Sequence, residues 1–352
     1  MTPDPRPVAL VTNRVPDYRR KPFRLLDDHE GIDVIAYEDL GQRRALKLLR
    51  AGDHRAIIAG LGGRAALPGA YRTARRNEVP FILWASLWSH PTTLAHRISK
   101  RPLDGIYKHA DAVVTYGPHV SAYVATRRGT DNSVFIAPQT VDNRHFGRHV
   151  SQEERAEARA RAGAANVDFL LLFVGRLEEE KGIEVLTEAW RQADIDNATL
   201  AFAGDGPLRY KAGGSSITAN ALGPIDRNDL PALYAAADAL VLPSVRTATF
   251  TEPWGLVVNE AMLQYTPVIA SDAVGAAAGG LVRDGRTGIV VPERDTAALS
   301  AAITTLAEDL DLRQTLGSQA HEDVRAYTPK AWAQGMSDAL RAVGASREER
   351  NC

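Results

Sequence analysis

The stretch FLLLFVGRLEEEKGIEVL, residues 169–186, determines the fold class of this chain. It opens with an uninterrupted apolar run, reaches Gly175, and resumes after Gly182 with apolar residues at helical spacing. A short apolar run without alternation is typical of a strand that is covered on both faces, as in a parallel sheet. The stretch therefore predicts one strand–loop–helix unit of an α/β protein.

The same unit recurs along the chain. Apolar runs alternate with amphipathic segments, first at 7–13, 32–38, 55–60, 79–86, 110–117 and 132–139, and then at 169–175, 198–204, 216–223, 237–244, 266–272 and 288–292. We therefore predict two doubly wound, Rossmann-like domains facing a cleft, 1–150 and 151–329, with ligands beyond the carboxyl ends of the strands. A last helix, 330–345, is expected to pack back on the first domain, and the tail 345–352 to fray.

The composition is that of an ordinary globular protein, with 45% hydrophobic and 24% charged residues in a chain of 352. The single cysteine, Cys352, excludes an internal disulfide and favours a reducing compartment. No apolar run reaches the ~18 residues of a membrane span, and the first residues show no cleavable signal. The expected location is cytoplasmic.

Charge is divided unevenly along the chain. Residues 1–150 hold 23 Lys and Arg against 14 Asp and Glu, whereas the remainder holds 19 against 29. The basic residues concentrate at 17–24, 72–76 and 96–101. This asymmetry concerns partners rather than fold. It predicts an anionic acceptor or peripheral docking at the inner face of an anionic membrane, with a merely solvated surface as the alternative. We expect no nucleic-acid partner.

A glycine-rich loop, GLGGRAALPG at 60–69, matches the dinucleotide fingerprint G-x-G-x-x-G/A. It follows the third strand rather than the first, and the next acid, Glu78, precedes the following strand instead of ending it. We therefore reject a nicotinamide cofactor and interpret the loop as a turn that could line the acceptor side.

Two cations flank the loop after the strand at 169–175. Arg176 follows the strand directly and Lys181 opens the next helix. This placement suits a diphosphate, because Arg offers a bidentate fork and Lys a compact charge. The alternative is that both cations pair with Glu178–Glu180 at the surface.

Two acids flank a predicted helix start in TEPWGLVVNEAM, residues 251–262. The free amides of residues 255–257 would form an anion site there. Glu260 lies on a mostly apolar helix, and a carboxylate in such a place needs hydrogen-bond donors, which a ribose diol would supply. Alternatively, Glu252 only balances the helix dipole and Glu260 is structural. Upstream, Pro224-Ile225 forms a turn after a strand that could present backbone groups to a base.

The ordered set GRLEEEKG, AGDGPL, LGPIDRNDLPALYAAADALVLPS, EPWGLVVNEAM, TPVIASD and VRDGRTGIVVP resembles the retaining glycosyltransferases of the GT-B fold, family 4 (glycosyl transferases group 1). The resemblance covers about 150 residues of the second domain, in the family's order and spacing. In the first half it is looser: IAPQTVDNRHF has Gln139-Thr140 where the family has Asn-Gly, and the first strand–helix loop, TNRVPDYRRKP, lacks the usual glycine pair.

The resemblance implies a role for each candidate residue. Arg176 and Lys181 would hold the diphosphate and stabilise it as the leaving group, Glu252 would lie beside the donor sugar, and Glu260 would bind the ribose hydroxyls. His90, after the fourth strand, would lie near the donor sugar, a loop histidine capping a turn being the alternative. The other implied donor-side contacts are Gly175, Ile225, Gly255, Leu256 and Val257, and the acceptor-side candidates besides His90 are His119 and Arg246.

The predicted activity is transfer of a sugar from a nucleotide diphosphate-sugar to a hydroxyl of a glycan, lipid-linked or small-molecule acceptor, with retention at the anomeric carbon. No cofactor or metal is expected, since no D-x-D motif stands at a strand end. Two alternatives remain: a nucleotide-sugar epimerase of the same fold, and a non-catalytic nucleotide-sugar-binding partner subunit. Trp84 and Trp88 are either core residues or platforms for a sugar ring.

Overall fold

The computed structural model describes residues 4–164, 169–212 and 219–347, and it divides into two compact units. The first unit comprises Met1–Thr140 with Thr328–Cys352, and the second comprises Val141–Tyr327. Each unit is a parallel sheet flanked by helices.

The first unit begins with β1 (Val8–Thr12), α1 (Asp17–Glu30), β2 (Ile32–Ala36), α2 (Tyr37–Leu40), α3 (Gln42–Ala51), β3 (Ala56–Gly60) and α4 (Ala66–Arg76). It continues with β4 (Phe81–Ala85), α5 (Leu94–His109), β5 (Ala112–Thr115), α6 (Pro118–Arg128) and β6 (Val134–Ile136). Among the described residues the strands form one parallel sheet in the order β2-β1-β3-β4-β5-β6.

The second unit contains α7 (Asn143–Phe146), α8 (Gln152–Arg161), β7 (Phe169–Val174), a 3₁₀ turn (Glu179–Lys181), α9 (Ile183–Ala193), β8 (Ala198–Ala203), α10 (Arg209–Ala212), β9 (Ala219–Gly223), α11 (Leu230–Ala236) and β10 (Ala239–Leu242). It ends with α12 (Leu256–Met262), β11 (Val268–Ser271), α13 (Gly275–Ala278), β12 (Gly288–Val291), α14 (Thr296–Glu308) and α15 (Leu310–Val324), after which α16 (Pro329–Ala342) returns to the first unit. In the described part of the chain its parallel sheet has the order β12-β11-β10-β7-β8-β9.

The prediction of two doubly wound sheets is confirmed, because each predicted apolar run contains a strand of the expected sheet. Some details are wrong: the run at 32–38 is strand only to Ala36, where α2 follows, and the run at 132–139 forms an edge strand, β6, that leaves Ile136 exposed. β2 is an edge strand in which Asp33 and Val34 are exposed, so it is not buried on both faces. Positions 216–218 of the run at 216–223 lie outside the described residues.

The helices of the first unit lie on opposite faces of its sheet. Alternate residues of β1 point to opposite faces. Leu10 packs in one cluster with α1 and α16, and Ala9 packs in another with α3 and α4. The side chains that each helix buries therefore assign α1 and α16 to one face and α3 and α4 to the other.

The last helix, α16, is built into the first unit. Trp332 is fully buried, stacks on Phe23 with 5.5 Å between ring centroids, and meets Trp84 edge-on at 5.6 Å. Gly335 lies so close to β6 that an added Cβ would stand 2.1 Å from the Ile136 carbonyl oxygen. The helix can approach the strand this closely only because residue 335 has no side chain. Trp84 is thus a core residue and not a platform for a sugar.

The boundary between the units lies ten residues before the predicted position, at 140/141 instead of 150/151. Val141, Phe146 and Val150 are buried, and the amide of Gln264, before β11, donates 2.9 Å to the Arg148 carbonyl oxygen. The charged helix that suggested a linker, α8, packs against α11. Low apolar content here indicated a surface helix of the second unit rather than a connection.

A buried ion pair joins both ends of the chain in the first unit. Arg55, before β3, donates from Nη2 to Glu30 Oε2 at 3.0 Å and from Nε to the Ala345 carbonyl at 2.8 Å. Glu30 also accepts from Ser346 Oγ at 3.0 Å and from the Arg347 amide at 2.9 Å. Residues 345–347 are therefore anchored, which corrects the expectation that the tail frays from Ala345; residues 348–352 lie outside the described part.

Arg55→Met is expected to destabilise the chain by about 3–5 kcal/mol, because it leaves the Glu30 carboxylate buried without its guanidinium. Urea unfolding measures the change. Arg50→Met, at an exposed position of α3, is the matched control and should shift stability by no more than about 0.5 kcal/mol. Equal midpoints for the two variants would show that the pair does not hold the termini.

Candidate active site

The carboxyl ends of β7, β8 and β9 enclose a cavity of about 330 Å³ in the second unit. Parallel strands end at one edge of a sheet, so loops far apart in sequence meet there. The lining includes three of the predicted donor-side residues, Gly175, Arg176 and Ile225, together with Val174, Ala203, Gly204, Asp205, Pro224 and Leu230. The walls are mainly apolar and backbone, with Arg176 and Asp205 as the charged members.

Glycines allow the loops at this edge to approach closely. A Cβ on Gly204 would stand 1.9 Å from the Gly175 carbonyl oxygen, and one on Gly182 would stand 2.0 Å from the Pro243 carbonyl oxygen. Gly182 also has φ +71°, a left-handed conformation that other residues adopt only with strain. The Val245 amide donates to the Glu180 carbonyl at 3.0 Å, so the loops after β7 and β10 are fastened together.

Lys181 and Glu252 form a nearly buried ion pair between these loops. The Lys181 ammonium donates to Glu252 Oε2, and the two side chains are only 14% and 9% exposed. Ser244 Oγ lies 3.4 Å from the same carboxylate oxygen. The alternative that Lys181 pairs with Glu178–Glu180 is therefore wrong for this structure. Sequence reasoning missed Ser244, whose only signal was its place at the end of an apolar run.

Arg176 is exposed and pairs with its neighbours in the loop. Its Nη2 donates to Glu180 Oε1 at 3.0 Å and its Nη1 to Glu178. Its side chain is 57% exposed, so the pairing is of the surface type that is worth little. A doubly charged ligand at this edge could therefore draw the guanidinium away at small cost.

The helix start predicted near Pro253 lies at Leu256, because Gly255 has φ +92° and ends the preceding turn. Trp254 donates from Nε1 to Asn259 Oδ1 at 2.7 Å and fixes this entry to α12. A Cβ on Gly255 would stand 2.6 Å from Leu242 Cδ2, so the position favours glycine. The amides of Leu256 and Val257 thus lie at the start of the helix, and their assignment to an anion site remains a prediction.

Glu260 is half-buried in the second turn of α12 and accepts a hydrogen bond of 2.7 Å from the Tyr234 hydroxyl. Burial raises the pKa of Glu260 to about 7, although the Tyr234 hydrogen bond and the Arg227 charge act to lower it. The Tyr234 hydrogen bond therefore offsets only part of the cost of burying the charged carboxylate. Tyr234, which sequence reasoning missed, carried no signal beyond lying in an apolar helix.

Arg246 is held within the second unit. It donates from Nη1 to Glu293 Oε1 at 2.6 Å and from Nη2 to the Asp272 carbonyl at 3.1 Å. Both partners follow neighbouring strands, β11 and β12. The arginine therefore clamps the carboxyl edge of the sheet, and its assignment to the acceptor side remains a prediction.

The two candidate histidines lie in the first unit. His90 is in the loop after β4, and His119 is at the start of α6, where its ring meets Trp88 edge-on at 5.4 Å. Both are half-buried. Trp88 thus packs against a candidate acceptor-side residue, unlike Trp84.

The glycine-rich loop at 60–69 has its helix amides occupied. Gln42 Oε1, from α3, accepts from the Ala65 amide at 2.7 Å and from the Ala66 amide at 2.9 Å. A side chain thus takes the position at which a dinucleotide phosphate would bind.

Among the described residues, no group of three or more His, Cys, Asp or Glu side chains is arranged to hold a metal ion. Across the same residues, the helices are too short or too polar to span a bilayer.

Comparison with known proteins gives a family match for most of the second unit. Residues 154–323 match the family model described as glycosyl transferases group 1. The alpha-D-kanosaminyltransferase of Streptomyces kanamyceticus is 28% identical over 74% of this chain and 69% of the relative. The D-inositol 3-phosphate glycosyltransferase of Geodermatophilus obscurus is 31% identical over 78% and 63%. The chain spans between 49% and 69% of the length of such curated relatives.

Solved structures share the fold over nearly the whole chain. Anabaena HepE in complex with UDP superposes with a TM-score of 0.76, at 18% identity, over 96% of this chain and all of that one. The sucrose-phosphate synthase of Thermosynechococcus elongatus also gives 0.76, at 22% identity, over 97% and 99%. The predicted GT-B class, with two Rossmann-like units, is confirmed.

The raised pKa of Glu260 predicts how stability depends on pH. Between its ordinary pKa of 4.5 and about 7, the folded chain keeps a proton that the unfolded chain has released. The contribution of Glu260 to the free energy of unfolding therefore falls as pH rises through that window. Glu260→Gln should gain stability relative to the parent between about pH 5 and about pH 8, measured as urea midpoints. Glu157→Gln, exposed on α8, is the control. A difference for Glu260→Gln that does not change with pH would contradict the assignment.

Proposed function

We propose that the chain transfers a glycosyl group from a nucleotide diphosphate-sugar to an acceptor hydroxyl, because residues 154–323 match the family model of the glycosyl transferases group 1. The observation that carries the proposal is the buried Lys181–Glu252 pair at the carboxyl edge of the second sheet. It places a shielded cation and a shielded carboxylate side by side, beside loops that also hold a cavity and a helix start.

The donor is proposed to lie along this edge. The base enters the cavity lined by Gly175 and Ile225, the ribose diol donates to Glu260, and the diphosphate meets Arg176, Lys181 and the start of α12. Two hydroxyl donors would supply what the half-buried Glu260 carboxylate lacks. Uridine is the first base to test, since HepE, which shares the fold, is described in complex with UDP.

The ion pair between Lys181 and Glu252 is proposed to open when the donor binds, so that each side chain contacts a different part of the donor. The ammonium moves its charge toward the diphosphate, and Glu252 then accepts a hydrogen bond from a hydroxyl of the donor sugar. Positive charge fixed in a water-poor site stabilises the leaving diphosphate more than it would in water. In the transfer, the acceptor oxygen bonds to the anomeric carbon as the bond from that carbon to the phosphate oxygen breaks. The acceptor proton passes to the departing phosphate, and the nucleoside diphosphate leaves.

Retention at the anomeric carbon and independence of metal are part of the proposal. Both rest on family resemblance, and the positive charge that the leaving group needs is available from Arg176 and Lys181. The acceptor side is assigned to the first unit, with His90 and His119 as candidates. An anionic acceptor agrees with the basic character of residues 1–150 and with the inositol phosphate named for one relative.

The function is tested with UDP-glucose and other nucleotide sugars, each incubated alone and with inositol phosphates and neutral sugars as acceptors. We expect acceptor-dependent release of nucleoside diphosphate, a product that keeps the donor's anomeric configuration by NMR, and unchanged turnover in EDTA. A changed sugar recovered without any acceptor would indicate an epimerase. Tight nucleotide-sugar binding with neither outcome across the panel would indicate a binding subunit.

Substitutions of the two acids are expected to have different effects, one on nucleotide binding and the other on turnover. Glu260→Gln should weaken binding of the bare nucleoside diphosphate by about 1–3 kcal/mol, because one charged acceptor is lost. Glu252→Gln should leave that binding within about 0.5 kcal/mol and lower turnover instead. Calorimetry and initial rates measure both, with Glu157→Gln as the surface control. Equal loss of nucleotide affinity in both variants would disprove this division of roles.

A further inference from the structure

In the segment that contains α3 and α4, nearly all of the charged residues are cations. From Leu40 to Asn77 the sequence holds nine Lys and Arg and a single acid, Asp53. Asp53 is already paired with Arg6 at 3.0 Å, and of the nine cations only Arg55 is buried. The nearest acids in sequence, Glu38, Asp39 and Glu78, stand outside the segment. Only one of the three basic clusters predicted from the sequence, 72–76, lies in this segment, so those clusters understate its positive charge.

The outer face of α3 is composed almost entirely of these cations. Ala45, Leu46 and Leu49 are buried against the sheet. The exposed positions of the helix are Arg43, Arg44, Lys47, Leu48, Arg50 and Ala51. Leu48 is 48% exposed, which makes it one of the few large apolar side chains on the described surface.

α3 and α4 form one rigid surface. Gln42, at the start of α3, caps the start of α4 through the Ala65 and Ala66 amides. Gly69 of α4 lies against Leu46, where an added Cβ would stand 2.6 Å from the leucine methyl groups. The helices therefore start together and pack closely side by side.

Arg64, Arg72 and Arg76 are exposed and extend the surface, whereas Arg75 is paired with Asp111 at 3.2 Å. We call these exposed residues of α3, with Arg64, Arg72 and Arg76, the basic face.

The other predicted basic clusters do not join this surface. In the cluster at 17–24, Arg19 is 2% exposed, donates 2.6 Å to Gln139 Oε1 and lies over the Trp84 ring at 4.7 Å. Its helix, α1, is on the opposite face of the sheet and also carries Asp17, Asp27 and Asp28. In the cluster at 96–101, the side chains of residues 96–99 lie outside the described set.

We propose that the basic face docks the protein on a bilayer that contains anionic lipids. Within the described part of the chain, no acidic side chain lies within ion-pair distance of its seven cations, Arg43, Arg44, Lys47, Arg50, Arg64, Arg72 and Arg76. Two parallel helices give a broad surface that suits a plane, and cations around an apolar side chain are typical of interfacial helices. Leu48 then enters the headgroup region while the arginines meet lipid phosphates.

A nucleic acid fits less well. Sequence-independent binders of single strands present aromatic rings for stacking, and α3 exposes none. Residues 151–352 carry ten more acidic than basic residues, which disfavours a long polyanion but not a surface that contacts one face. The proposal does not depend on the proposed function, since docking requires no turnover.

The test is sedimentation of the purified full chain with vesicles of phosphatidylcholine alone or mixed with phosphatidylglycerol. We expect binding only to the mixed vesicles, and its loss in high salt because the charges are screened. Each cation near such a surface contributes about fivefold to partitioning, so the combined Arg43→Gln, Arg44→Gln, Lys47→Gln and Arg50→Gln variant should bind up to about 600-fold more weakly than the parent. Leu48→Gln should reduce binding while leaving its salt dependence unchanged.

The matched control neutralises the exposed cations of the opposite helix, Arg20→Gln, Lys21→Gln and Arg24→Gln, and should bind as the parent does. Circular dichroism and urea midpoints establish that all variants fold. The proposal is overturned if the parent does not sediment with mixed vesicles at low salt, if both variants lose binding equally, or if an arbitrary DNA duplex binds to the basic face while vesicles do not.

Discussion

The ion pair between Lys181 and Glu252 is the contact on which the candidate site depends. It joins two loops separated by 71 positions in the chain, and the approach of Gly182 to the Pro243 carbonyl makes it possible. Without a glycine at 182, the turn that carries Lys181 would be pushed away from β10. A nearly buried pair is weak evidence of stability, because desolvation offsets much of the attraction. Its placement at a strand edge is more informative, since both charges are kept from water where a diphosphate and a sugar would arrive.

The same edge shows how one helix can serve two parts of a ligand. The start of α12 presents amides after Gly255, and its second turn presents Glu260. The short helix fixes the separation between the proposed anion site and the carboxylate that is proposed to bind the ribose. Burial raises the pKa of Glu260 to about 7, so its charge near neutral pH is sensitive to the donors that a ligand brings. Tyr234 supplies one donor in advance and so orients the group.

The first unit handles its buried charges differently. Glu30 and Arg55 satisfy one another and fasten residues 345–347, while Arg19 lies among the rings of Tyr18, Trp84, Tyr116 and Trp332. Cations over aromatic faces are stabilised without an acidic partner. Both arrangements attach α16 or the residues after it to this unit. The buried charges of the first unit thus hold its last helix and the residues after it in place, whereas most of the charges on α3 and α4 are exposed to solvent.

Much of this protein follows from its sequence alone, because the features concerned are local. Short apolar runs between glycines determined the strands and their alternation with helices, and the ordered motifs of 173–292 identified the second unit. The tertiary structure alone decided the partners: Lys181 with Glu252 instead of Glu178–Glu180, Tyr234 on Glu260, and Arg246 on Glu293. It also decided which basic residues share a surface, since it buried Arg19 and joined α3 to α4. Periodicity specifies which side of an element is buried, but pairing and exposure depend on which distant segments pack against it.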